Sequence, residues 1–111
     1  MTSAALIQIL KSKPENQAHV QALGQFVRQH SQASEVNELW IAEIWQFMNN
    51  FPLPMLVSDG LPPLWNRLIL GQPKLPLVSA FLDAFKQFTE QHPEPLAIKL
   101  FQQYQDASRF F

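Results

Sequence analysis

Apolar positions recur along almost the whole chain with the 3.6-residue period of a helix. Residues 3–12, SAALIQILKS, put Leu6, Ile7, Ile9 and Leu10 on one arc, with Thr2 or Ser3 as a cap. Lys13-Pro14 ends this helix, because the residue before a proline avoids the α region. The pattern predicts a second helix over 14–31. Pro14 and Glu15 suit its first turn, and Ala22, Leu23, Phe26 and Val27 share a face. Gly24 sits mid-helix, where it costs about 1 kcal/mol against alanine, so it is expected to admit the close approach of another helix.

The third helix, 34–50, carries the widest apolar arc: Val36, Leu39, Trp40, Ile41, Ile44, Trp45, Phe47 and Met48 follow a capping Ser34. A helix this apolar belongs at the centre of a fold. Further short helices are predicted over 62–70, 75–91 and 95–109. Leu61, Leu64, Trp65, Leu68 and Ile69 face inward from the first, and Leu77, Val78, Phe81, Leu82, Phe85 and Phe88 from the second. From the last, Leu96, Leu100, Phe101, Tyr104, Ala107 and Phe111 face inward, while Ile98 and Phe110 fall off that side. The expected fold is all-α: a single domain over 1–111, built as an orthogonal or antiparallel bundle of five to six helices with short connections.

Between the third and fourth helices lies FPLPMLVSDGLPPLW, residues 51–65, in which prolines alternate with large apolar side chains. Ser58-Asp59-Gly60 suggests a turn, and only Met55-Leu56-Val57 suggests an extended piece. Three readings stay open for this apolar crossover. It can cover the helix ends as buried chain, its prolines reducing the backbone donors in need of partners. It can be a preordered polyproline surface for a partner, with methionine adding adaptability. It can be a lid, with Trp65 and Met55 lining a pocket beneath it.

Composition narrows the function. Only 15% of residues are charged, against about 25% in an ordinary domain, while 47% are apolar and 12% aromatic. The net charge is −1 and the basic residues are scattered, which argues against a phosphate-tracking nucleic-acid surface. There is no cysteine, hence no disulfide and no thiol chemistry, which fits a reducing, cytoplasmic setting. The first residues lack the charged n-region of a signal peptide, and no run reaches the ~18 apolar residues of a membrane span.

Catalytic constellations are not evident. Serine motifs of the G-x-S-x-G or S-x-x-K type are missing, and the three glycines are isolated, so no phosphate-cradling loop is expected. Glu43 borders apolar neighbours but has no second acid or histidine in register. His19 and His30 lie on one helix face, roughly 16 Å apart, too far to share a metal ion. They are expected to pack in a core or interface, and His92 to be solvated. Neither a cofactor nor a metal site is expected.

What remains is an aromatic load of three tryptophans and nine phenylalanines. Most must be core. Those at the borders of the arcs or in the proline-rich segment are the candidates for contact with another protein or a second copy of the chain: Trp45, Phe51, Leu53, Met55, Leu56, Trp65, Ile98 and Phe110. The expected function is therefore a small non-catalytic interaction, regulatory or assembly module. The alternative is a carrier holding an apolar or ring-shaped ligand between helices, lined by Phe26, Trp40, Phe47 and Phe85 with His19 or His30 inside.

Overall fold

Thr2 starts the first helix. Its Oγ1 accepts a hydrogen bond from the Ala5 N–H at 3.2 Å, and its carbonyl accepts from Leu6 N at 3.1 Å. The computed structural model describes residues 2–11, 17–31, 38–70 and 75–111. Within these, helices of nine residues or longer are α1 (Ser3–Lys11), α2 (Gln17–Ser31), α3 (Glu38–Asn50), α5 (Leu61–Ile69), α6 (Leu75–Gln91) and α7 (Pro95–Ser108). A single turn, α4 (Leu53–Met55), and a π-helical turn (Leu56–Gly60) lead into α5. The described residues contain no strand, and the fold is all-α. Ser34, Val36 and Gly71, to which the sequence assigns capping and apolar roles, lie outside the described residues.

One apolar core joins the helices. α3 packs between α1 and α6, α2 leans on α1 and α5, and α7 closes over α6 and the π turn. Trp40, Ile44, Phe47 and Met48 of α3 are essentially inaccessible, as its wide apolar arc requires. The i, i+4, i+7, i+8 spacing places all four on one side of the helix. A second aromatic cluster lies where α5, α6 and α7 meet. The Trp65 indole stacks on the Tyr104 ring at 4.3 Å and 9°, and it lies 5.8 Å from Phe81.

Residues 51–60 correct the expectation of an extended crossover with a Ser58-Asp59-Gly60 turn. Only Pro52 is extended (φ −55°, ψ 128°), as the N-cap of α4. Pro54 then occupies the first turn, where its missing N–H has no intrahelical role. The chain stays helical from Leu53 to Ile69. The π turn has a local cause. Pro62 and Pro63 cannot donate to carbonyls one turn back, and their rings crowd those carbonyls. Just before them the ladder widens, so that the Leu61 N–H bonds to the Leu56 carbonyl five residues earlier. Gly60 makes the packing possible, since a Cβ there would lie 3.2–3.3 Å from the Leu56 and Phe51 side chains.

α7 sits rotated from its expected setting. Ala97 and Tyr104 form its buried seam, Leu96 is 62% exposed, and Ile98, expected off the packed side, is half-buried. Glu94 caps this helix by accepting from Leu96 N at 3.4 Å, and Pro95 follows at its first position.

Candidate functional site

The candidate partner residues separate into two groups. Phe51, Leu56 and Trp65 are buried, at 3%, 0% and 4% exposure, and belong to the core. For these three the expectation of a free surface is corrected. The helical turn at 53–60 folds every third or fourth side chain inward, and Phe51 meets Phe47 with ring centroids 5.5 Å apart. Leu53, Met55 and Ile98 are half-buried. Leu53, with Pro54 and Val57, borders a shallow hollow of about 200 Å³ closed by Glu94 and Leu96.

Trp45 and Phe110 make the other group. Trp45 is half-buried at the edge of α3, where the helix has turned its arc away from the core. With Ile41 one turn earlier it forms one wall of a groove of about 450 Å³. The opposite wall is α6, through Pro76, Ala80, Ala84 and Gln87. Ala80 and Ala84 offer only methyl groups to the groove, while Asp83 and Gln87 of the same helix border it with longer polar side chains. Ile41, 46% exposed, is apolar surface that the α3 neighbours leave uncovered. Phe110 stands almost free at 88% exposure, while its neighbour Phe111 turns back onto the Trp65 ring at 6.0 Å and 28°.

Asp83 is the charged residue of the groove lining. Together with Ser79 it also borders a second hollow of about 320 Å³ on the other side of α6, against Gln105 and Ser108 of α7. Among the described residues no lysine or arginine pairs with Asp83; the ion pair seen is Arg109–Asp106 at 3.8 Å, both largely exposed.

The other titratable groups act as structure. The Glu43 carboxylate, flagged by sequence as bordering apolar groups, accepts a hydrogen bond from the Ser3 N–H and so caps the start of α1 across the fold. His19 is buried in α2, and the side chain of His30 lies outside the described residues. His92 is exposed and rests its ring 4.8 Å from Phe88. Burial pushes the Tyr104 phenol up to about 12. Among the described residues no three histidine or carboxylate side chains converge as metal ligands, and no helix is long and apolar enough to cross a membrane.

Sequence reasoning missed Ile41, Ala80, Ala84 and Asp83 as groove residues. Ile41 reads as core in a helical projection, and the alanines carry no signal until two helices are set side by side. Comparison of the chain with protein-family models, curated proteins and solved structures finds no match.

Proposed function

We propose that this chain is a small non-catalytic interaction module, regulatory or assembly in role, that holds a partner protein in the groove between α3 and α6. The observation that carries this reading is the pairing of the half-buried Trp45 with the exposed Ile41 across a groove from Ala80 and Ala84 of α6. A tryptophan at the edge of an apolar groove has the anchoring area that dominates binding energy at protein interfaces. The low charge of the surface lessens the desolvation that such contact demands. Scattered cations supply no phosphate-tracking stripe, so the expected partner is protein rather than nucleic acid, met in the cytoplasm.

The carrier alternative asks for space between Phe26, Trp40, Phe47 and Phe85. All four are at most 1% exposed, Phe26 and Trp40 lie with centroids 5.3 Å apart, and Phe85 packs edge-on to Phe101 at 5.6 Å. Rings that fill one another's space favour the interaction reading.

The test is affinity capture from extract with wild-type protein and an Ile41→Glu variant, which plugs the groove at an exposed position. A protein retained in constant proportion by wild type and lost by Ile41→Glu, with circular dichroism unchanged, is the expected result. Failure of the chain to associate with any protein, itself included, would overturn the reading.

A further inference from the structure

The groove and the end of α7 that leads to Phe110, the most exposed aromatic side chain among the described residues, flank the same helix. Ser79 and Asp83 of α6 border the groove toward α3 on one side and the hollow toward α7 on the other. Ser108 lines that second hollow, and Arg109-Phe110 follow it directly.

The segment at 109–111 is a held peg. Arg109 N, Phe110 N and Phe111 N each donate to a carbonyl three residues back, at 3.2, 3.2 and 3.3 Å. Phe111 is fastened onto Trp65. Phe111 keeps 41% of its surface exposed while it rests against Trp65, and Phe110, next to Arg109 in the chain, stands outward at 88%. Arg109 is engaged only by the exposed, same-helix Asp106, an arrangement worth little and easily exchanged.

The groove offers the complement of this peg. Its walls are largely apolar, with an indole for an aromatic ring to meet, and its polar lining, with Ser79 and Gln87, includes the unpaired carboxylate of Asp83. An exposed phenylalanine flanked by an arginine matches an apolar groove flanked by an aspartate in shape class, hydrophobicity and charge. The groove and the α7-side hollow share Ser79 and Asp83, and Ser108 lies two residues before Phe110, so a two-fold axis near Ser79 and Asp83 would let each copy offer its own peg to the other. Such a reciprocal arrangement closes on itself rather than growing into a filament.

We infer that the groove's occupant is a second copy of this chain, each copy placing Phe110 between α3 and α6 of the other and Arg109 against its Asp83. This rests on the α3–α6 groove being the interaction surface, and it names the partner. Leu75, exposed at the start of α6 and lining the α7-side hollow, is covered in the same contact.

Sedimentation equilibrium over a concentration series reaching about 1 mM tests the inference. Phe110→Ala, Asp83→Arg and Arg109→Asp change exposed side chains, so their melting curves are expected to overlay wild type. Each is expected to raise the dimer dissociation constant about tenfold or more. The Asp83→Arg/Arg109→Asp double variant is expected to recover most of the loss, because the reversed pair restores attraction. A wild-type chain that stays monomeric throughout would overturn the inference, and so would a dimer indifferent to Phe110→Ala and to Asp83→Arg. A monomer that still captures another protein in an Ile41-dependent manner would overturn only the self-association and leave the groove as a docking site.

Discussion

The tryptophans Trp65 and Trp45 have the same chemistry and different burial, so replacing each by alanine gives a direct test of which surface is core. A tryptophan side chain removes about 150–250 Å² from water when fully buried. At about 25 cal/mol per Å² this amounts to ~4–6 kcal/mol, and measured truncations fall near 3–5 kcal/mol once the alanine methyl and local collapse are counted. Trp65 is 4% exposed, with Tyr104, Phe81 and Phe111 around it, so Trp65→Ala is expected to cost about 4 kcal/mol. Trp45 is only partly buried at the edge of the core, so it loses less area and Trp45→Ala is expected to cost about 3 kcal/mol. Urea unfolding followed by far-ultraviolet circular dichroism reads both. With a slope near 2 kcal/mol per molar, the midpoint drops by about 2 M for Trp65→Ala and about 1.5 M for Trp45→Ala. A domain of this size holds only about 5–15 kcal/mol in total, so Trp65→Ala is expected to be marginally folded. Equal costs for the two variants would put the Trp45 indole in the core and remove the wall on which the groove depends.

The remaining expectations concern single groups. Tyr104 is the only tyrosine in the chain, so its phenolate absorbance titrates without overlap, and the folded protein is expected to ionise near 12 rather than 10. Because the folded form keeps its proton longer than the unfolded chain, stability is intact below pH 10 and falls as pH rises from 10 toward 12. Tyr104→Phe should abolish that alkaline loss, whereas a midpoint at 10 would show the ring to be solvated. Glu43→Ala removes the cap on Ser3 N and is expected to cost about 1 kcal/mol in chemical denaturation; no change would mean that solvent caps α1 equally well. A Cβ on Gly24 would fall 2.8 Å from Nη2 of Arg67, the free end of a long side chain. Gly24→Ala is therefore expected to displace Arg67 and raise stability by about 0.4–1 kcal/mol, visible as a higher melting temperature. A loss would show that the guanidinium stacked on the bare backbone matters more than helix propensity.

The helical period was enough to identify the all-α class and the inward face of α5 and α6, and proline and asparagine marked the boundaries at Asn49-Asn50 and Pro95. These are local properties, written in side-chain spacing and in the backbone limits of proline. Spacing states which residues share a face, but not how much of that face a neighbour covers. On α3 the neighbours α1 and α6 cover Trp40, Ile44, Phe47 and Met48 and stop short of Ile41. The groove is the remainder of an arc wider than its contacts. On α7 the contact is a narrow seam through Ala97 and Tyr104, so Leu96 is turned out despite its place in the stripe.

At 51–60 the local signals of proline and glycine pointed to irregular chain. Tertiary packing selected helix, because that conformation turns Phe51, Leu56 and Leu61 together into the core, with Pro54 in a first turn and the π turn absorbing the donors that Pro62 and Pro63 lack. What the amino-acid order determined was where helices form and which residues want burial. What the tertiary structure decided was which of those wants were met. Burial is settled by the surfaces of two elements at once, and one strand of sequence describes only one of them.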